Sequence, residues 1–396
     1  MNNSTEHQLP QEKPLFQFFR SAKGVMLWYS INYFANPAVQ FVAISSNTVN
    51  VLAFLRSGTK DGISIIFLSL SISDLLHNTA WFTERVLVGA DLIHKQYPYH
   101  WLIWIGFFIS RCTQMWYVIS VLLTVFAAVQ KCSCIALPLV FGHYFTRRRT
   151  VVVVVLIFTI VISYHIPGLS LYRWEEYFDK ATNRTRLGYG WANRPLGLKL
   201  NIATDWINFI SVPFISEGVI TICVIIMTLK LREAATTRLK MTSGKAVIVD
   251  GNSDKENYQN SSETEGGYKN IENDRVDCRN NAEPMPNAHS KSYPVTNAHG
   301  VLNPRELRVI RSANLICLIF IIGTLPNLVI TVCNLLFRPL FSDIGEQALY
   351  FTFKGIQTII YDSSTAVNSF VYYKFNTKYR KAVNSMFSCF CKEVST

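Results

Sequence analysis

Seven stretches of the chain, at roughly 37–56, 63–83, 101–129, 150–171, 203–230, 310–337 and 347–373, are almost wholly apolar and are separated by polar residues. About 20 mostly apolar residues in helical conformation cross the hydrocarbon of a bilayer, so each stretch is long enough for a membrane span. Backbone amides cannot be left unpaired in lipid, which restricts spans to helices or closed barrels. The stretches are too long for barrel strands and lack their period-two alternation. The pattern therefore predicts an all-α membrane protein, a seven-transmembrane helix bundle. The third stretch is long enough to require tilt.

The polar intervals set the expected organisation: an extracellular N-terminal segment (1–36), helices one to five (37–230), a disordered cytoplasmic loop (231–306), helices six and seven (307–373), and an amphipathic helix with a cytoplasmic tail (374–396). The first 36 residues hold no apolar core ahead of a small-residue cleavage site, and no signal peptide is expected. Residues 231–306 are rich in Asn, Ser, Glu, Asp and Lys and too poor in bulky apolar side chains to fold alone.

Three features orient the bundle with its N-terminus outside. Arg56, Lys60, Lys131, Arg147, Arg148, Arg149, Lys374, Lys378, Arg380 and Lys381 then fall on the inner side, as the positive-inside rule requires. Glycosylation sequons at Asn2, Asn3 and Asn183 fall outside. Trp28, Trp81, Trp101, Trp104, Trp174, Trp191 and Trp206 fall at outer ends of spans, as in an interfacial belt, with only Trp116 deeper. The interval 172–199 runs the other way with six Lys or Arg, but long translocated loops weigh less in the rule.

Composition narrows the function classes. The chain is 49% hydrophobic and 16% charged, against about a quarter charged in soluble domains. Its formal charge of +12 is distributed between apolar runs instead of forming a basic patch, which excludes nucleic acid as the expected partner. The nine cysteines form no CxxC pairs at metal spacing, and no nucleophile, metal set or phosphate loop suggests an enzyme or a cofactor.

Ionisable side chains are expensive in hydrocarbon, so those within the spans are expected to face one another. Asp74 in span two has Asn47 or Asn50, Ser120 and Asn368 at similar depth. These residues would hold a sodium ion or ordered water, or form a polar knot between helices. Nearer the outer face lie Arg111, Asp205, Lys354 and Asp362, with Thr113, Gln114, Tyr117, Gln357 and Tyr361 alongside. They either pair among themselves or line a cavity for a polar or charged small molecule or a peptide end. Pro213 and Pro326 should kink spans five and six and provide hinges.

The segments NTVNVLAFLRSGTKDGISIIFLSLSISDLL from Asn47, TVFAAVQKCSCIALPLVFGHYF from Thr124, Pro326 and NSFVYYKFNTKYR from Asn368 resemble, in order and spacing, the rhodopsin-like G-protein-coupled receptors. Cys132 and Cys134 give the resemblance the character of invertebrate, molluscan-type chemosensory or neuropeptide receptors. It implies a plasma-membrane receptor that binds an extracellular chemosensory ligand or neuropeptide and signals to a heterotrimeric G protein. Asp74 takes the family's span-two carboxylate, and Asn368 with Tyr372 its span-seven motif. Gln130 and Lys131 stand at the G-protein-facing acid and Arg, and Leu137, Pro138 and Leu139 in the inner loop. Tyr373–Phe387 resembles the amphipathic helix along the inner leaflet, with Cys389 and Cys391 as palmitoylation candidates.

The departures are specific. Lys131 lacks the bidentate fork of Arg and Gln130 lacks the acid. Thr324 replaces the aromatic residue two before Pro326, and Ser369 replaces a Pro. No cysteine occurs from 135 to 222, so the family's disulfide to the second outer loop cannot form. Such drift suits a rapidly diversifying chemosensory family. The alternative from another class is an ion channel or transporter with Arg111, Asp205, Glu217, Lys354 and Asp362 as its path, against which the odd span number, the lack of internal repeats and the tail helix speak.

Overall fold

The computed structural model describes residues 18, 21–59, 61–93, 101–179, 184–249, 304–336 and 344–394. The chain divides into two units, Met1–Leu231 with Asn303–Thr396, and Arg232–Leu302. Of the second unit the described part is helical through Val249, so the expectation of disorder is corrected for 232–249; residues 250–303 lie outside the description.

The first unit is built from long helices, one of which, Val212–Val249, runs on past Leu231 into the residues of the second. They are α1 (Ala22–Ser30), α2 (Asn36–Ser57), α3 (Gly62–Ile93), α4 (Trp101–Ala136), the short α5 (Pro138–Tyr144), α6 (Arg147–Ser170), α7 (Arg194–Trp206), α8 (Val212–Val249), α9 (Pro304–Leu336), α10 (Ile344–Phe375) and α11 (Thr377–Val394). Among the described residues six helical stretches are long and apolar enough to cross a membrane: Ala22–Ser57, Gly62–Gly89, Phe108–Ala136, Arg147–Ser170, Arg194–Glu233 and Asn314–Cys333. The seventh expected span lies in α10, a helix of 32 residues carrying Lys354 and Asp362.

The distribution of polarity is the reverse of a soluble protein's. Asn36, Gln40, Asn47, Asn50, Asp74, Asn78, Ser120 and Asp362 are buried, whereas Phe41, Val152, Val155, Ile160, Phe214, Ile215, Ile222 and Ile322 are exposed. A continuous apolar exterior is unfavourable in water and favourable against lipid.

Two departures from the expected boundaries have one cause. Helix begins at Ala22, well before position 37, and at Arg194 instead of 203. A single π turn joins α1 to α2 at Ile31–Ala35 and α7 to α8 at Ile207–Ser211. Each lies just ahead of a proline, Pro37 and Pro213. Proline has no amide hydrogen and its ring clashes with the carbonyl four residues back, and a turn widened to i→i+5 removes that clash without ending the helix.

A second difference is the interval after α6, expected as an unstructured outer loop. Strands β1 (Tyr172–Asp179) and β2 (Arg184–Trp191) pair antiparallel from Tyr172↔Trp191 to Asp179↔Arg184. The all-α expectation is corrected to this extent. The Tyr172 and Trp191 rings lie 4.2 Å apart, and β2 packs on α4. Asn193 then caps α7, its side chain accepting from Leu196 N at 3.2 Å.

Within the bundle α2 packs on α3 and α10, α3 on α4, α9 on α10, and α6 on α3 and α4. The α2 face toward α10 carries Asn32 just ahead of it, then Asn36, Gln40, Ala43, Asn47, Asn50 and Phe54, spaced three or four apart and all buried. Ser369 of α10 donates to Asn50 Oδ1 at 2.8 Å and contacts the Ser46 hydroxyl, and Ser46 donates to Ala366 O at 2.8 Å. Ser369 therefore ties α10 to α2, and α10 runs unbroken through it.

Asn376 closes α10 and starts α11, its Oδ1 accepting from the backbone of Lys378 and Tyr379, each at 3.1 Å. α11 is amphipathic: Tyr379, Ala382 and Val383 are buried, and Lys378, Lys381 and Ser385 are exposed. Tyr379 enters a cluster with Phe54, Phe67 and Tyr372, its ring centroid 5.1 Å from Phe54. Its hydroxyl donates to Asn50 Oδ1 at 2.6 Å, and burial pushes the phenol up to about 12, so it remains a donor throughout the physiological range.

Removing the Tyr379 ring should be far worse than removing its hydroxyl. Tyr379→Ala is expected to cost about 3–5 kcal/mol. Tyr379→Phe should cost about 1 kcal/mol, because Ser369 still donates to Asn50. Unfolding midpoints of the purified variants measure both, and equal losses would contradict a packing role for the ring.

Candidate functional site: a polar cavity in the helix bundle

A cavity of about 320 Å³, at the small end of small-molecule sites, opens among the helices. Its wall is drawn from α3 (His77, Trp81, Glu84, Arg85), α4 (Ser110, Gln114, Tyr117), the π turn before α8 (Phe209), α9 (Asn327) and α10 (Tyr350, Phe351, Lys354, Gln357, Thr358, Tyr361), with Asn32 ahead of α2. Five of the expected ligand-binding residues meet there: Gln114, Tyr117, Lys354, Gln357 and Tyr361.

The other four do not line it. Arg111 and Asp205 pair at 2.7 Å, with Arg111 also donating to Gln114 at 3.2 Å and Asn201 to Asp205 at 3.1 Å. This bridge joins α4 to α7 beside the cavity. Thr113 is turned into the bundle, its hydroxyl donating to Ile109 O at 2.8 Å. Asp362 is wholly buried, with His77 Nε2 3.7 Å from its Oδ1. The other ring nitrogen of His77, Nδ1, is 3.2 Å from Thr113 O; since a carbonyl only accepts, Nδ1 carries a proton.

Sequence reasoning missed His77, Trp81, Glu84, Arg85 and Asn327. The first four had a visible signal. Span two was expected to end near residue 83, but α3 continues to Ile93 and brings Glu84 and Arg85 into the bundle. Trp81, expected in the interfacial belt, instead lines the cavity with the Arg85 guanidinium 4.9 Å from its ring. Arg85 Nε and Glu84 Oε2, from adjacent residues, lie 3.9 Å apart.

Lys354 is held on a neutral framework. Its ammonium donates to Asn327 Oδ1 at 2.5 Å and lies 5.2 Å from the Phe209 ring centre, and Asn327 Nδ2 donates to Tyr117 Oη at 3.4 Å.

Below the cavity, Asp74 Oδ1 accepts from Ser120 Oγ at 2.5 Å, and a void of about 10 Å³ lies between Asp74, Ser120, Thr124, Ser364, Thr365 and Asn368. That volume is about one water molecule's probe space. Of the expected sodium or polar network, Asp74, Ser120 and Asn368 converge here. Asn47 does not: its Oδ1 accepts from Asn50 at 3.2 Å, and its links run to α10 and α11 through Asn50. Glu217 of α8 accepts a hydrogen bond from Thr324 of α9, so Thr324, two residues before Pro326, bridges two helices.

At the far end, Gln130 is buried where α3, α4 and α6 converge. A Cβ on Gly62 would meet Thr150 Oγ1 at 2.8 Å and Gln130 Nε2 at 3.4 Å. Lys131 borders a small void shared with Ala127, Ser312, Ile316 and Cys317, between α4 and α9. Tyr372 is buried against Phe54 and Phe67, and Pro138 opens α5. Asn2, Asn3 and Asn183 lie outside the described residues; Cys389 and Cys391 fall within α11, their side chains outside the description.

Compared with known proteins, the sequence matches no family model and no curated protein.

The Arg111–Asp205 bridge is partly shielded, with the side chains 17% and 35% exposed. Arg111→Gln, Asp205→Asn and the double variant should give a coupling free energy of about 1 kcal/mol in unfolding measurements. Additive effects would mean that the pair contributes nothing to holding α4 against α7.

Proposed function

We propose that the chain is a seven-helix receptor of the rhodopsin-like type, with α10 as its seventh span, its N-terminus outside and the plasma membrane as its site. An extracellular ligand enters the cavity and a heterotrimeric G protein binds where Gln130, Lys131, α5 and α11 lie. The observation that carries this reading is the placement of a ligand-sized polar cavity and a buried polar relay on the same helices. Asp74, Ser120 and Asn368 lie beneath Tyr361, which borders both the cavity and the small void. A ligand that binds one arrangement of the cavity wall more tightly shifts the population of that arrangement at the other end. Lys131 borders the gap between α4 and α9 that such a shift would change.

The geometry gives the channel or transporter alternative less support. Arg111 is engaged by Asp205, Glu217 by Thr324, Lys354 by Asn327, and Asp362 faces His77. Arg111, Glu217 and Lys354 hold separate hydrogen-bond partners, and Asp362 lies apart from them against His77, instead of all lining one path.

Reconstituted protein should accelerate nucleotide exchange on a heterotrimeric G protein; ion or solute flux in liposomes without exchange would reverse the assignment. Lys131→Arg restores the bidentate group and should raise exchange several-fold. An unchanged rate would show that Lys131 is no weakening of the coupling surface.

A further inference from the structure

The cavity wall holds three formal charges, and they are not matched. Glu84 and Arg85 are sequence neighbours with Oε2 and Nε 3.9 Å apart, so one offsets the other. Lys354 is left over. Among the described residues it has no carboxylate partner, only the Asn327 carboxamide oxygen and the Phe209 ring. An ammonium withdrawn from water without a counter-charge is strongly unfavourable, and a protein retains one where something else supplies the charge. Aromatic side chains supply flat apolar wall in the same cavity, Phe209 against the ammonium and Trp81 among the others. The volume of about 320 Å³ suits a molecule of modest size and is too small to enclose a peptide of several residues.

We infer that the ligand of this cavity is a small organic anion, a carboxylate on an aromatic or planar apolar body, whose charged end pairs with Lys354 and whose body lies against Trp81 and Phe209. This rests on the receptor reading for its consequence but not for its chemistry. Asn327 fixes the ammonium from the α9 side, so the anion adds a charged link between α9 and α10 to the one the protein makes through a neutral amide. Arg85 is the weaker candidate, because it has the Glu84 carboxylate 3.9 Å away and Lys354 has none so near among the described residues.

The test uses the purified full-length protein in detergent and reads its thermal unfolding midpoint. The probes are benzoate and indole-3-acetate, their primary amides benzamide and indole-3-acetamide, and benzylamine. Both acids should raise the midpoint by a few degrees once in excess of their dissociation constants, while the amides of the same shape leave it unchanged. Lys354→Gln removes a part-buried charge that has no carboxylate partner among the described residues, so without probe it should be at least as stable as the parent, and it should need at least tenfold more acid for any shift. Lys354→Glu should lose the response to acids and gain one to benzylamine. The inference is overturned if the amides protect as well as the acids, if Lys354→Gln keeps the acid response, or if neither acid protects the parent protein.

Nucleotide exchange measured on the same preparations separates this inference from the receptor reading. Acid binding that depends on Lys354 without any exchange retains the anion site and removes the receptor. Exchange driven by a neutral or cationic compound and undiminished in Lys354→Gln does the reverse.

Discussion

The structure depends on one constraint: polar side chains taken out of water must find partners on neighbouring helices. In a bundle whose outer surface is Phe41, Val155, Ile160, Phe214 and Ile222, apolar burial does not distinguish inside from outside, because lipid is as apolar as leucine. What fixes the helices against one another is the set of directed contacts. Asn50 accepts from Ser369 and Tyr379, Asp74 from Ser120, Glu217 from Thr324 and Asp205 from Arg111. Each joins two different helices, and together they bind α2 to α10 and α11, α3 to α4, α8 to α9, and α4 to α7. Aromatic packing of Phe54, Phe67, Tyr372 and Tyr379 reinforces the same junction at one end.

The same constraint explains which parts were legible in the sequence. Apolar length located the six most apolar spans and pointed to α10 despite its Lys354 and Asp362. Ionisable residues within those runs pointed to Asp74, Arg111, Asp205, Lys354 and Asp362, since a charge in such a setting demands a partner whatever the fold. Helix ends were less legible. Residues 22–36, 84–93 and 194–202 are helical while containing polar side chains that a hydrophobicity pattern assigns to loops. Glu84 and Arg85 were lost to the cavity on that account. The amide series Asn32, Asn36 and Gln40 was readable as one helical face, but only once the helix was known to begin before Pro37.

Pairings resisted sequence reasoning for a different reason. Arg111, Asp205, Lys354 and Asp362 allow several ion pairs, and composition does not choose among them. The fold chooses Arg111 with Asp205, places Asp362 opposite His77, and leaves Lys354 on an amide. The hairpin β1–β2 was hidden similarly. Its aromatic residues read as interfacial anchors, and the alternation that marks a strand is short beside the long helical runs on either side.

The widened turn at Ile207–Ser211 has a consequence for the bridge between α7 and α4. A π turn is an α-helix with one residue too many, so loss of a single residue between 207 and 211 would restore regular winding ahead of Pro213. Everything N-terminal to the deletion, Asp205 included, would swing by about 100° about the helix axis while α8 stayed in place. One deleted residue would therefore carry Asp205 away from Arg111 and undo the bridge between α7 and α4 while leaving α8 wound as it is.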